Sequence, residues 1–216
     1  KYRIIIVGDD NILYNLDKKG ENVFGWQHTK TSNPINRSPI HFIVNGKDYI
    51  LNATNNSTTK LLARNGSDRV TFKDFEDFIT PVKISKDGTL YSITTEKKIW
   101  TGYLDGMTKI LDSPKVDTTT KILFYNDGWY ITKENTISYI NNTQEKEINI
   151  KLDGSAKTLT NLEGYIAITT NSSLYLIKNN KILEGFPIDS DGYFNISDIN
   201  HDGKVNVVNI KNGCVY

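Results

Sequence analysis

Residues 121–151 read KILFYNDGWYITKENTISYINNTQEKEINIK, and this stretch decides the fold. Two apolar runs flank Asn126-Asp127-Gly128, the Asn/Asp-Gly chemistry that closes tight hairpins because these residues tolerate positive φ. About ten residues further on, Ile137 and Tyr139 mark a third strand, and Asn141-Asn142 marks a second turn before a last strand. This order of strands and turns predicts one four-stranded antiparallel sheet.

The same order of signals recurs along the chain. The glycines of the first turn are 42, 40, 36 and 39 residues apart, at Gly46, Gly88, Gly128, Gly164 and Gly203. A period of about 40 residues, with four short strands in each period, is typical of the blades of a β-propeller. We therefore predict an all-β fold, a β-propeller of four-stranded antiparallel blades, with four complete and two partial blades in this chain.

The repeat also predicts how the chain is divided. We expect a single domain with repeat units at approximately 1–30, 38–72, 80–113, 119–152, 156–188 and 194–216. The first unit starts inside a blade and lacks its innermost strand, with Val23-Phe24 as its fourth strand, and the last unit has three strands. An open blade edge exposes unpaired backbone groups, so these ends predict a piece of a larger ring or an unusual join.

Composition disfavours several classes of function. The 26 Lys and Arg residues nearly balance the 25 Asp and Glu residues, and the formal charge of +1 predicts no binding of nucleic acid by charge alone. No run approaches the roughly 20 apolar residues of a membrane span, so no membrane insertion is expected. The single cysteine, Cys214, excludes an internal disulfide and a cysteine-based zinc cluster.

One motif carries the chemistry of a metal site. From Asp198 to Asn206, oxygen-bearing side chains at positions one, three, five and nine and a glycine at position six follow the pattern of a calcium-binding loop. The predicted ligands are Asp198, Asn200, Asp202, the backbone carbonyl of Lys204, and Asn206. Only two of them carry negative charge, so calcium would bind weakly. The alternative interpretation is an Asp-Gly turn whose acidic groups are solvated.

Catalytic signatures are missing from the sequence. Three histidines occupy different repeat positions, and none has the spacing that places two metal ligands on one face: His28, His41 and His201. There is no nucleophile elbow, phosphate-binding loop or dinucleotide fingerprint. We therefore name no catalytic residue.

The three tryptophans, Trp26, Trp100 and Trp129, allow two interpretations. Aromatic rings stack on sugars, so exposed tryptophans would favour a glycan-binding face. Their recurrence at strand positions instead favours packing in the core and between blades, where aromatic side chains dominate burial. We predict the second arrangement.

Two stretches carry a family resemblance. Residues 184–188 (EGFPI) followed by 197–208 (SDINHDGKVNVV) resemble an FG-GAP or VCBS-type propeller repeat, as in integrin α-chain heads and many exported bacterial proteins. Residues 24–26 and 40–50 further resemble the C-terminal propeller region of large exported Bacteroidetes proteins. The resemblance implies an exported propeller, periplasmic, cell-surface or extracellular, that takes part in interactions.

These observations favour a non-enzymatic binding or scaffolding propeller that holds a protein partner through loops on a rigid frame. Two alternatives stay open at this point. One is a lectin-like module that binds glycans, assisted by calcium. The other is an enzyme with a site at the central channel of the propeller.

Overall fold

The computed structural model describes residues 3–27, 30–31, 35, 38–53, 59–72, 77–111, 116–141 and 146–216. Every regular element in these ranges is a β-strand, and they contain no helix long and apolar enough to cross a membrane. The chain divides into two compact units, residues 1–118 and residues 119–216, and each is described by itself. The expectation of a single domain with six repeat units stays a prediction.

The strands of the first unit form three antiparallel sheets, which we number as blades 1 to 3. Blade 1 pairs β1 (Ile4–Val7) with β2 (Leu13–Leu16). Blade 2 contains, in spatial order, β3 (Ile40–Val44), β4 (Lys47–Ala53), β5 (Thr59–Leu62) and β6 (Asp68–Thr71). Blade 3 contains β7 (Lys83–Ile84), β8 (Leu90–Ile93), β9 (Ile99–Gly102) and β10 (Thr108–Leu111).

The second unit has the same organisation in blades 4 to 6. Blade 4 contains β11 (Ile122–Tyr125), β12 (Gly128–Lys133), β13 (Thr136–Asn141) and β14 (Lys146–Lys151). Blade 5 contains β15 (Thr158–Leu162), β16 (Tyr165–Thr169), β17 (Ser173–Lys178) and β18 (Lys181–Ile182), and β19 (Ile188–Asp189) pairs with the start of β17. Blade 6 contains β20 (Phe194–Ser197), β21 (Asn206–Lys211) and β22 (Cys214–Val215).

The predicted set of four complete and two partial four-stranded blades is confirmed. The predicted fourth strand of blade 1 is wrong in detail. Asn22 makes an isolated bridge to Leu16 and the Val23 N–H donates to the Asn15 carbonyl at 2.9 Å, but the segment forms no strand, and Phe24 is fully exposed. Gly25, with φ of 81°, turns the chain instead, and the indole N–H of Trp26 donates to the Leu13 carbonyl at 2.7 Å.

Hairpin chemistry explains where the strands end. At Asn45-Gly46, Asn126-Asp127 and Glu163-Gly164 both turn residues have positive φ, the conformation that matches the twist of two-residue hairpins. Gly128 itself is the first residue of β12 and is required for a different reason. A Cβ at this position would collide with the ring of Tyr139, whose hydroxyl donates to the Asn126 carbonyl at 2.8 Å.

Alternation of side chains along the strands divides the core of the first unit into two layers. In β4, Ile50 packs with Leu13 of blade 1, whereas Tyr49 and Leu51 pack with Trp100 of blade 3. Because successive side chains point to opposite faces of a sheet, one central blade supplies both layers. Aromatic rings dominate the layer between blades 2 and 3, whereas the layer between blades 1 and 2 is made of aliphatic side chains with Trp26 packed against them.

Candidate functional site

The predicted calcium loop connects β20 to β21 and is held by its own side chains. Asp198 accepts the backbone N–H groups of Asp202 at 3.1 Å and Gly203 at 2.9 Å. Asp202 accepts the N–H of Lys204 at 2.8 Å and the side-chain amide of Asn200 at 3.0 Å. Asn206 accepts the N–H of Ile199 at 3.0 Å, so the side chains of all four predicted side-chain ligands are engaged within the loop.

The loop brings the predicted calcium ligands close together, but this arrangement alone does not identify a metal site. Among the described residues, no group of three or more His, Cys, Asp or Glu side chains is placed to hold an ion. Asp198 and Asp202 satisfy backbone donors of a loop that is longer than a two-residue hairpin. The calcium assignment of Asp198, Asn200, Asp202, Lys204 and Asn206 stays a prediction.

The two described histidines, His41 and His201, belong to different units. The Nε2 atom of His41 lies 2.8 Å from Oδ1 of Asp48 on the neighbouring strand of blade 2. His201 lies in the β20–β21 loop with φ of 58°. His28 lies outside the described residues.

Among the aspartates that the structure describes, three have pKa values below the ordinary value, and each holds a turn. A hydrogen bond from the Tyr14 hydroxyl at 2.6 Å lowers the pKa of Asp10. Burial raises the pKa of Asp87 and of Asp153, but hydrogen bonds from neighbouring hydroxyls, such as that of Ser173 to Asp153, outweigh it and lower the pKa overall. A general acid at neutral pH needs a raised pKa, so these groups act as charged turn anchors.

The core interpretation of the tryptophans is confirmed for the two that lie in strands. Trp100 is 1% exposed and Trp129 is 3% exposed. Trp26 is partly buried and packs against the cluster around Leu13. The aromatic side chains exposed on the described surface are instead Phe24, Tyr193 and Tyr216.

A cleft of about 610 Å³ with both polar and apolar lining lies between blades 1 and 2. Sequence reasoning did not identify it. Its polar lining comes from both sheets: Arg3 and Asn15 from blade 1, and His41, Asp48 and Arg64 from blade 2. The apolar part of its wall is formed by Ile5, Pro39, Ile43 and Ile50.

Strand register explains why these residues meet. Asn15 is paired with Ile5 across β1 and β2, and paired residues of an antiparallel ladder share a face. The same rule places Asp48 beside Ile43 on the face of blade 2 that contains Ile50. Both faces point into the layer between blades 1 and 2.

Asn15 is the buried polar group of this cleft. The residue is 3% exposed, and its Oδ1 atom has no hydrogen-bond partner among the described residues. Leaving such an acceptor unsatisfied costs about 1–3 kcal/mol. Two guanidinium groups, Arg3 and Arg64, line the same space and are exposed, so the cleft combines a buried acceptor with donors that prefer carboxylate or phosphate.

No protein-family model and no curated protein matches the chain in sequence. Solved structures do match it. The computationally designed protein Ika8 has a TM-score of 0.64 at 15% identity, over 99% of this chain and 70% of Ika8. BamB from Moraxella catarrhalis has a TM-score of 0.55 at 13% identity, over 92% of this chain and 64% of BamB.

Both of these proteins are built from propeller blades. The fold is a β-propeller. A third propeller-like structure, BBS1N in complex with ARL6DN, has a TM-score of 0.56 at 12% identity, over 96% of this chain and 72% of BBS1N. At these identities the likeness shows the propeller fold alone.

Proposed function

We propose that this propeller is a non-enzymatic binding module that holds a protein partner at the cleft between blades 1 and 2. The observation that carries the proposal is the lining of the cleft, where the buried Oδ1 of Asn15 has no hydrogen-bond donor among the described residues and Arg3 and Arg64 line the same space. Binding sites are typically concave and use a few polar groups on a rigid frame to fix orientation.

The charge of the lining favours a partner with carboxylate groups. Guanidinium groups bind carboxylates through paired N–H donors. The carboxylate of Asp48, which also lines the cleft, lies 2.8 Å from Nε2 of His41. The net charge of +1 offers no extended positive field for nucleic acid. An acidic surface or segment of a protein therefore fits the cleft best.

The comparisons support a protein partner as well, since BBS1N was solved in complex with ARL6DN. The resemblance of residues 197–208 to an FG-GAP or VCBS-type repeat supports a role as an exported interaction propeller. The proposal therefore includes export of the protein, to the cell surface, to the periplasm or outside the cell.

The test compares capture of partners by the native protein and by the double variant Arg3→Glu/Arg64→Glu, in extracts of the cells that make the protein. Lys109→Glu, at an exposed position of β10 in blade 3, makes the same charge change per residue away from the cleft. We expect a protein whose capture falls roughly tenfold in the double variant and stays unchanged in the control.

That protein, once purified, must bind the native propeller directly with the same dependence on the two arginines. Thermal unfolding of each variant excludes misfolding as the cause of a loss. The proposal is wrong if every directly binding protein binds the double variant and the native protein equally.

A further inference from the structure

The dipeptide Asn-Gly occurs three times in the chain, at residues 45–46, 65–66 and 212–213. An asparagine before a glycine is chemically labile, because the backbone nitrogen of the glycine can attack the side-chain amide carbon and glycine has no Cβ to hinder the approach. The attack needs a free glycine N–H and an asparagine side chain that can rotate toward it. The structure places the three pairs in different surroundings, and these surroundings rank their reactivity.

Asn45 and Gly46 form the two-residue turn between β3 and β4, with φ of 49° and 71°. The hairpin is closed by the pair Val44 and Lys47, and both turn residues are exposed. Among the described residues, the N–H of Gly46 donates to no backbone carbonyl and the side chain of Asn45 has no hydrogen-bond partner. A Cβ at Gly46 would meet nothing within 4 Å, so the side chain of Asn45 has room to reach the nitrogen.

Asn65 and Gly66 are restrained by their own turn, which connects β5 to β6. The N–H of Gly66 donates to the Ala63 carbonyl at 2.9 Å, so the attacking nitrogen is occupied. The side-chain carbonyl of Asn65 accepts the backbone N–H of Ser67 at 3.2 Å and its hydroxyl at 2.8 Å, which holds the amide in one orientation. Reaction at Asn65 therefore requires all three hydrogen bonds to break first.

Asn212 and Gly213 are exposed, but a carboxylate lies beside them. The N–H of Asn212 donates to Oδ2 of Asp191 at 2.7 Å, and Lys211 approaches the other oxygen of that carboxylate only to 3.7 Å. The glycine nitrogen must lose its proton to react, and a nearby negative charge opposes that loss. At the first site the glycine is followed by an exposed lysine, Lys47, whose positive charge favours the loss. Asn45 is therefore the most reactive of the three asparagines.

We propose that Asn45 is a site of spontaneous modification, at which the chain converts its own asparagine to aspartate and isoaspartate. The nitrogen of Gly46 gives its proton to hydroxide and bonds to Cγ of Asn45, while the bond from Cγ to the side-chain nitrogen breaks. The side-chain nitrogen takes a proton from water and leaves as ammonia, and a succinimide ring remains. Water then adds to one of the two ring carbonyls. Opening at Cγ gives aspartate, and opening at the main-chain carbonyl gives isoaspartate. The net reaction consumes one water and releases one ammonia.

The modification acts on blade 2 through its first hairpin. Isoaspartate adds one CH₂ group to the backbone between β3 and β4, and a two-residue turn has no slack for it because turn type and loop length fix the register. Val44 is the last residue of β3, and a Cβ added to Gly88 of blade 3 would lie 2.8 Å from its Cγ2. A displaced turn therefore disturbs the packing of blade 2 on blade 3. This effect does not depend on the proposed partner or its cleft.

The first experiment incubates the native protein at mildly alkaline pH and follows the three Asn-Gly pairs by peptide mapping with mass spectrometry. Digestion at acidic pH prevents reaction during preparation, and chromatography separates aspartate peptides from isoaspartate peptides. A parallel incubation in concentrated urea gives the reactivity of the unfolded chain. In the folded protein, Asn45 should form both products at least about tenfold faster than Asn65, and faster than Asn212. In urea the three should react at similar rates, because the fold causes the difference.

Three results would overturn the assignment. One is reaction of Asn65 or Asn212 in the folded protein at the rate of Asn45 or above it. Another is an Asn45 that stays intact in the folded protein over the time in which it reacts in urea. The third is aspartate without isoaspartate at this position, since direct hydrolysis of the side chain would give that product and would exclude attack by Gly46.

The second experiment measures the effect on blade 2. Ion exchange separates modified from unmodified protein, and urea unfolding compares both with the variant Asn45→Asp, which has the charge of the product and a normal backbone. The modified protein, enriched in isoaspartate, should unfold at a lower urea concentration, and Asn45→Asp should unfold close to the native protein. Equal midpoints for modified and native protein overturn the effect on the hairpin. An equal loss in Asn45→Asp overturns the backbone explanation and assigns the effect to charge.

Discussion

Substituting Gly102 by alanine should destabilise blade 3 by about 1–3 kcal/mol, the usual cost of overpacking a core. Gly102 is a buried residue of β9, and its φ is not in the positive range, so its backbone accepts alanine. The added Cβ would lie 2.9 Å from Cζ2 of Trp100, closer still to Cη2, and 3.0 Å from Cε1 of Phe72. Carbon atoms pack best at about 3.5–4.0 Å, so the rings must move.

The assay is urea unfolding, with the midpoint and the slope both fitted. The midpoint should fall and the slope should stay the same, because the variant changes packing and not the surface exposed on unfolding. Gly154→Ala is the matched control, since its Cβ would meet only Cβ of Thr170 at 4.0 Å and its φ is not positive. This control should be neutral or more stable by up to about 1 kcal/mol.

A double-mutant cycle isolates the contact between the side chain added at position 102 and the ring of Trp100. Trp100→Ala alone should cost about 3–5 kcal/mol, since this side chain is 1% exposed and packs against Phe72 and Phe78. In that background Gly102→Ala should cost nothing, because the methyl group enters the space that the indole vacates. The reasoning is refuted if Gly102→Ala costs the same in both backgrounds, or less than about 0.5 kcal/mol in the native protein.

Three further predictions concern charge and ligands. The pKa of Asp153 is lowered in the folded state, so its contribution to stability is present above the ordinary value of 3.8 and is lost as pH falls below it. Asp153→Ala should lower the free energy of unfolding by about 1 kcal/mol at neutral pH, and this difference from the native protein should narrow as pH falls below 3.8. A difference in denaturation curves that is the same at neutral and at acidic pH would contradict this. Millimolar calcium should raise the melting temperature of the native protein and leave that of Asp198→Ala unchanged, whereas a native melting temperature that is identical in calcium and chelator would dismiss the metal loop. A glycan array should give no binding that free sugar competes, because Trp100 and Trp129 are buried, and a competed signal would restore the lectin alternative.

The blade architecture could be predicted because it is encoded locally. Asn45-Gly46 and Asn126-Asp127 specify hairpins through backbone conformations that few other residues tolerate, and their spacing repeats. Tight turns fix register, and register fixes which side chains share a face. The sequence therefore contains the strand order and the burial of Trp100 and Trp129 within short windows.

The cleft could not be predicted from such windows. Arg3 and Arg64 are separated by a whole blade in sequence and become neighbours only because blades 1 and 2 face each other. In sequence both look like solvated surface charges, and Asn15 looks like an ordinary polar strand residue. One signal of the cleft is present in the sequence. Arg3 stands two residues before Ile5 of β1, where β4 of blade 2 has the aromatic Tyr49 two residues before Leu51.

The end of blade 1 shows a second limit of predicting strands from the sequence. Val23 and Phe24 have strand composition, but Gly25 adopts the left-handed conformation and the chain turns before a ladder can form. The exposed Phe24 and the buried indole N–H bond of Trp26 follow from that turn. Composition alone does not distinguish a fourth strand from an apolar turn.

Titration of the purified partner against the native protein, Arg3→Glu/Arg64→Glu and Lys109→Glu tests the central claim most directly, because two of these variants differ only in whether the changed charges line the cleft between blades 1 and 2. The double variant should bind the partner about tenfold more weakly than the native protein, and Lys109→Glu should bind it as the native protein does. Equal affinity of all three proteins would contradict a cleft that holds its partner through Arg3 and Arg64.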